Sequence, residues 1–258
     1  MKDQIPRLNA LKDTADTVAE FLLLSFESKK FDISTKKDGS EVTNIDLDAQ
    51  SMAKELLLSQ FPNDGFLGEE DQEQTGSSKY RWVVDPIDGT ASFIRGVPLF
   101  GTQIGLEYKG KPIAGKIIMP AIGEGIFAHV GTGAYYTSGN STETLARVSD
   151  TDSLHEAMIS TTSIDYYKKT DSVSLFNNLV ESGCSIRGWS DCYAFMLLCT
   201  GRIDGVLEPL LYPWDVVPWI PIIIESGGIF SPISSGYLAS NPTIHAGLYD
   251  ALHETVTN

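Results

Sequence analysis

Trp82-Val83-Val84-Asp85-Pro86-Ile87-Asp88-Gly89-Thr90 is the stretch on which the reading of this chain turns. Three apolar residues lead into two carboxylates three positions apart, with Pro86 between them and Gly89-Thr90 behind. The apolar run suits a buried strand ending in a turn. Pro86 fixes its own φ and restricts Asp85, so the turn is rigid. Such a turn can aim both carboxylates and the Ile87 carbonyl at one spot. If Thr90 opens a helix, its N–H and that of Gly89 can hold a phosphate oxygen. The competing reading is an ordinary Asp/Gly turn.

Two further acidic segments bear on the choice. Gly68-Glu69-Glu70-Asp71 follows the apolar pair Phe66-Leu67, and Asp215 stands between Trp214 and Val216 at an expected helix start. Taken singly, the first reads as a solvated loop and Asp215 as an N-cap. Taken together they are more specific. Two unit charges ~4 Å apart interact by roughly 4 kcal/mol at an effective dielectric of ~20. A cluster of Glu69, Asp85, Asp88 and Asp215 would repel itself by several such amounts, and bound hard cations would reverse the sign. All-oxygen ligands suit Mg2+, Mn2+ or Ca2+ better than zinc, and metal pairs ~3.5–4 Å apart recur in phosphatases.

The rest of the chain frames these segments. Leu8, Leu11, Ala15, Val18, Leu22 and Phe26 recur at three- and four-residue steps and predict an amphipathic helix. Thr43 or Asn44 can cap a second helix running to about Gln60, ended by Pro62. From Gly101 to Tyr136 the pattern is an antiparallel meander, turning at Lys109-Gly110, Ile122-Gly123 and Gly131-Thr132-Gly133. Beyond it, strands at Ala157–Thr161 and Ile203–Leu207 alternate with helices at Asp171–Glu181, Asp191–Thr200 and Asp215–Glu225, an α/β region. The expected division is 1–150, with most of the acidic motifs, and 151–258.

Composition excludes several classes. Thirty-four acids against nineteen Lys and Arg leave 258 residues with a formal charge of −15, which argues against nucleic acid or an anionic membrane as partner. No apolar run approaches the roughly 18 residues of a membrane span. Met1-Lys2-Asp3-Gln4-Ile5-Pro6 has no apolar signal core, so a cytoplasmic protein is expected. Cys184, Cys192 and Cys199 form no CxxC pair, against a disulfide framework or structural zinc. Asn140-Ser141-Thr142 matches a glycosylation sequon with no secretory route to give it meaning.

In order and spacing, Gly68-Glu69-Glu70, Asp85-Pro86-Ile87-Asp88-Gly89-Thr90, Trp214-Asp215 and Glu225-Ser226-Gly227-Gly228 resemble the inositol monophosphatase family of Mg2+-dependent phosphomonoesterases. The resemblance covers Lys36 to about Ser231. It implies a mixed α/β (α+β) fold, the five-layered αβαβα sandwich shared with fructose-1,6-bisphosphatase. It implies roughly two or three Mg2+ per site, ligated by Glu69, Asp85, the Ile87 carbonyl, Asp88 and Asp215. It further implies that Thr90 with Glu69 orients an attacking water, that Asp46 supports Thr90, and that Glu208 contacts the alcohol portion of a small phosphomonoester. Homodimers are common in the family, and the meander could supply an interface.

Within the family the chain most resembles the histidinol-phosphate phosphatase branch, on Lys36-Lys37-Asp38-Gly39-Ser40, Phe93-Ile94-Arg95-Gly96-Val97-Pro98 and Ser190-Asp191-Cys192-Tyr193. In that branch an acid at the Asp191 position contacts the imidazole and amino end of the substrate; a helix N-cap is the other reading of Asp191. Gly89 and Arg187 join Thr90, Asp191 and Glu208 as expected substrate-binding residues. Arg95 is either a surface residue or a contact to substrate phosphate or a second subunit. Two departures stand out: Ser92 where the family usually has Asn, and Val217-Pro218-Trp219 where it usually has small residues.

Rival phosphoryl chemistries fit less well. An aspartyl-phosphate route wants D-x-D-x-T, whereas Asp85 and Asp88 are spaced D-x-x-D. No Arg stands six residues after any cysteine, as a cysteine phosphatase requires. Gly105 to Pro112 nearly spells a P-loop, but Pro112 replaces the Mg2+-binding hydroxyl. Inositol 1-phosphate or a broader set of sugar phosphates remains the alternative substrate class, and a non-catalytic metal-binding regulator of the same fold is the more distant alternative.

Overall fold

Apolar steps of three and four from Leu8 onward produce α1 (Gln4–Ser28), with Leu11, Ala15, Val18 and Leu22 fully buried. In this computed structural model residues 4–139, 141–189 and 191–253 are described; Asn140 of the sequon and Ser190 of the branch motif lie outside them. The chain divides into two compact units, Met1–Thr144 with Pro213–Ile222, and Leu145–Tyr212 with Ile223–Asn258.

In the first unit, β1 (Ile33–Thr35) and β2 (Glu41–Thr43) form an antiparallel pair that delivers the chain into α2 (Asn44–Gln60). Thr43 caps α2. Its Oγ1 accepts from Ile45 N at 3.1 Å and Asp46 N at 3.4 Å, while Asp46 Oδ2 accepts from Thr43 N at 2.8 Å, a capping box. Thr43→Ala is expected to lower stability by about 1 kcal/mol, measured by urea unfolding. There follow β3 (Gly65–Gly68), β4 (Tyr80–Asp88), α3 (Thr90–Ile94), β5 (Gly101–Tyr108), β6 (Lys111–Met119), β7 (Glu124–His129), β8 (Ala134–Ser138) and β9 (Thr144–Leu145). Among the described residues these strands form one sheet in the order β3-β4-β5-β6-β7-β8-β9. β5 to β8 are the expected meander; Lys109 and Gly110 both take positive φ at its first turn, as a two-residue hairpin of this hand requires.

Two features differ from the sequence expectation. β3, parallel to β4, has glycines at both ends and no readable alternation. β4 does not stop at Asp85. It continues to Asp88, which registers with Gly101, and the pairing shifts between Asp85 and Asp88. Pro86 and Ile87 occupy that bulge, where the missing proline N–H removes no ladder bond. Tyr80, Trp82 and Val84 of β4 join α1 and α2 in one apolar core. Val83 and Asp85, on alternate positions, face the other side of the sheet.

The second unit has β10 (Met158–Thr161), α4 (Ile164–Lys169), α5 (Val173–Glu181), β11 (Ser185–Arg187), α6 (Asp191–Cys199) and β12 (Gly205–Glu208). After α7 (Pro213–Val216), which belongs to the first unit, and α8 (Trp219–Glu225), it is completed by β13 (Ile229–Ile233), β14 (Gly236–Ser240) and α9 (Pro242–His253). Its sheet runs β11-β10-β12-β14-β13, with β10 parallel to both β11 and β12. The helix expected from Asp171 begins at Val173, because Asp171 takes φ +53° between α4 and α5. The helix expected over Asp215–Glu225 is two helices. Pro218 lacks the N–H that would continue α7, and its ring excludes a helical carbonyl four residues back. No helix of the described residues is long and apolar enough to cross a membrane.

Candidate metal centre

Parallel pairing of Gly68 with Val84 brings Glu69 out of β3 beside Asp85, and Glu69 N donates to Val84 O at 3.2 Å. Beneath this junction lies the buried Gln50 of α2, whose Oε1 accepts from Glu70 N at 2.8 Å. A Cβ at Gly68 would overlap the Gln50 carboxamide, which would have to shift away from Glu70 N. Asp215 arrives from α7, which packs on β4 and β5. The backbone of Pro218, just beyond α7, rests on the paired glycines Gly105 and Gly115. One carboxylate oxygen each from Asp85, Asp88 and Asp215 then lies within 4.8 Å of the others.

The electrostatics of this group are unfavourable by themselves. Asp85 is 1% exposed. Burial, and then the charges of Glu69, Asp88, Asp215 and Asp46, drive its carboxyl well above the usual carboxylate range. Among the described residues its Oδ1 is buried with no hydrogen-bond donor, an arrangement that costs free energy unless a cation or donor meets it. The oxygen-only donor set fits a hard divalent cation.

Glu69 stands outside that group of three. Lys36, in the turn after β1, sets its Nζ 2.6 Å from Glu69 Oε1 and 2.6 Å from Glu70 Oε1. Burial opposes the Lys36 charge, but the two carboxylates hold it above its ordinary value. Burial pushes Glu70 up to about 7, with the Glu69 and Asp46 charges adding to it and the Lys36 bond opposing it. The solvated-loop reading therefore applies only to Asp71, whose exposed carboxylate pairs with Lys54 at 2.8 Å.

The rise in Glu70 makes a signed prediction. Folded Glu70 holds its proton more tightly than an unfolded glutamate with the ordinary value of 4.5. Its contribution to stability is complete below 4.5 and is lost as pH rises towards about 7. Gln cannot titrate, so in EDTA the unfolding temperature of Glu70→Gln should gain on the wild type between those two pH values. Calorimetry over that range checks it, and a difference independent of pH would count against the assignment.

Thr90 opens α3 behind Gly89, which takes φ +85°. Thr90 Oγ1 lies 3.1 Å from Asp46 Oδ1 and 3.0 Å from the Ile87 carbonyl. Asp46 is buried, and desolvation raises its carboxyl despite the bonds from Thr43 and Thr90. Ser92 lies within α3, where its carbonyl accepts from Arg95 N and Val97 N. Arg95 is taken up by Glu41 of β2 through two bonds of 2.7 and 3.1 Å. Trp219 is buried at the start of α8.

In the second unit Arg187 ends β11 and Glu208 ends β12, both parallel to β10, so they stand at the same, carboxyl end of the sheet. That end is where open α/β sheets carry ligands. Asp191 is the first residue of α6, with φ +57°. Glu208 is buried, and its charge adds to burial in raising Tyr167. Arg187 turns one guanidinium nitrogen to the Ile186 carbonyl at 2.8 Å. Sequence reasoning missed the roles of Lys36 and Gln50. For Lys36 the signal was its place in a Lys-Lys-Asp-Gly-Ser turn; for Gln50 no local signal exists, since it acts 20 residues away.

Comparison with known proteins bears on the family and the fold. The model of the inositol monophosphatase family matches residues 3–258. A histidinol-phosphatase of Chlorobaculum parvum is 34% identical over 223 residues, covering 86% of this chain and 84% of the relative. An inositol-1-monophosphatase of Mesorhizobium japonicum is 30% identical, covering 93% and 91%. Among solved structures, the extragenic suppressor protein suhB of Bartonella henselae superposes with a TM-score of 0.87 at 27% identity, covering 97% of this chain and all of that one.

Proposed function

The chain belongs to the inositol monophosphatase family and is a phosphomonoester hydrolase, and on that premise we propose that its substrate is L-histidinol phosphate and its cation Mg2+. The observation that carries the cation is the buried Asp85 Oδ1, without a donor among the described residues, within the group of Asp85, Asp88 and Asp215. Those three, Glu69 and the Ile87 carbonyl are the proposed ligands for roughly two or three cations. When bound, the cations would lower the pKa of water and neutralise charge developing on phosphoryl and leaving oxygens.

The remaining work falls to the chain's own groups. Thr90 can direct its hydroxyl proton to Asp46 Oδ1 or to the Ile87 carbonyl. Its oxygen lone pairs are then available to take a hydrogen bond from the attacking water. Burial keeps Asp46 from drifting towards solvent and so fixes that direction. Gly89 and Thr90 offer amides at the start of α3 to phosphate oxygens. Asp191 and Glu208 supply negative charge for the amine of histidinol phosphate, and Arg187 is a further substrate contact. Homodimeric assembly and a cytoplasmic location belong to the same reading, on the strength of the family resemblance.

The similarity to the Mesorhizobium japonicum inositol-1-monophosphatase supports a second reading, with inositol 1-phosphate as substrate. Steady-state kinetics on both compounds separates the two. The favoured reading expects the higher kcat/KM on histidinol phosphate; the reverse order overturns it in favour of the second.

A further inference from the structure

Gln103 is the one polar side chain on its stretch of β5 whose burial has no explanation in the fold. It is 1% exposed, and its Oε1 is buried without a hydrogen-bond donor among the described residues. Register puts it directly across from Asp85 on β4 and from Ile117 on β6. Directly paired residues project to the same face of a sheet, with Cβ atoms about 4.5–5.5 Å apart. Gln103 therefore shares the face of Asp85, the face away from the core of α1 and α2. On that same face the next positions along β5 are Gly101, opposite Asp88, and Gly105, beneath Pro218. Neither carries a side chain, so the Gln103 carboxamide is the only β5 side chain between the Asp85–Asp88 bulge and the segment that delivers Asp215.

Paired residues on one face of the sheet thus carry two buried acceptors with no donor among the described residues, Asp85 Oδ1 and Gln103 Oε1. An unmet buried acceptor is costly, and a leucine or methionine would fill the same space without that cost. A hydrated divalent cation supplies what both lack, because it attracts the carboxylate and its waters donate outward to neutral acceptors. We propose that Gln103 is a positioning residue of the cation site, its Oε1 receiving the hydration water of the cation that Asp85, Asp88 and Asp215 hold. This rests on the metal reading given above, and adds to it a residue that no acidic motif contains.

The test compares cation affinity with stability in the full-length protein. Mn2+ binding is measured by calorimetry, and unfolding temperature is measured in EDTA, for the wild type, Gln103→Met and Gln103→Glu. Gln103→Met keeps the length but removes the acceptor. It should weaken Mn2+ binding about ten-fold, the loss typical of an outer partner of a metal ligand, without lowering the unfolding temperature in EDTA. Gln103→Glu keeps the acceptor and should bind Mn2+ at least as tightly as the wild type. Unchanged affinity in Gln103→Met overturns the inference, as does an equal loss in both variants, which would mark Gln103 as packing alone. If Gln103→Met loses both affinity and stability, retained affinity in Gln103→Glu still supports the acceptor role. Failure of the wild type itself to bind Mn2+ is a different result, and it overturns the metal reading rather than this one.

Discussion

Asp85→Asn is expected to lower phosphate release at saturating Mg2+ by about a thousand-fold or more, while raising the unfolding temperature measured in EDTA. The two effects have one cause. Asp85 is buried, its Oδ1 has no donor among the described residues, and Glu69, Asp88, Asp215 and Asp46 all oppose its charge. Without a cation the carboxylate is a liability, and an uncharged amide of the same shape relieves it. With a cation it becomes a ligand that the fold has prepared in advance. Each tenfold in rate corresponds to about 1.36 kcal/mol, so a thousand-fold loss asks for about 4 kcal/mol, within the several kcal/mol that a catalytic metal supplies. Initial rates and differential scanning calorimetry on EDTA-treated protein check both halves. A variant that is less stable in EDTA and also less active would point to simple misfolding.

Gly115→Ala should act on the same centre through Pro218, which rests on the same face of the sheet as Asp85. A Cβ at this position would overlap the carbonyl oxygen of Pro218. Both groups are tied to backbone, so no rotamer change relieves the overlap, and the α7–α8 junction has to lift. Overpacking of this kind costs about 3 kcal/mol, and the displaced segment carries Asp215. The prediction is a stability loss of that order in urea unfolding, together with weaker Mg2+ binding. Gly105→Ala is the milder control, because its Cβ would meet Pro218 N at 2.9 Å and Val217 Cγ1 at 3.0 Å, one of them a side-chain atom that can move. Equal tolerance of both substitutions would mean that Pro218 does not fix the position of Asp215.

The departure at Val217-Pro218-Trp219 thus has a structural counterpart in this chain: two paired glycines receive the proline and hold the α7 segment against the sheet. That could not be read locally, because Gly115 and Pro218 are 103 positions apart and neither is unusual in its own neighbourhood. The same limit hid β3, four residues too short to show a period, and the Lys36 bridge to Glu69 and Glu70 across 33 and 34 positions. The expected helix over Asp215–Glu225 ran straight through Pro218, which instead separates α7 from α8. What could be read was dense in local information. α1 repeats its apolar step for about five turns from Leu8 to Phe26, Thr43 and Asp46 cap α2 within four residues, and Gly-containing turns mark the hairpins of the meander. The Asp85–Thr90 motif was legible for the same reason, since proline, two acids and glycine constrain one another over six positions. The shift of pairing that lets β4 run on to Asp88 depends on β5, and no property of the motif alone announces it.

The direct test of the account is phosphate release from histidinol phosphate with Mg2+ present, then with EDTA, then with Mg2+ restored. The acidic centre of Asp85, Asp88 and Asp215 predicts turnover in the first, none in the second and full recovery in the third. Turnover that survives EDTA unchanged would contradict it.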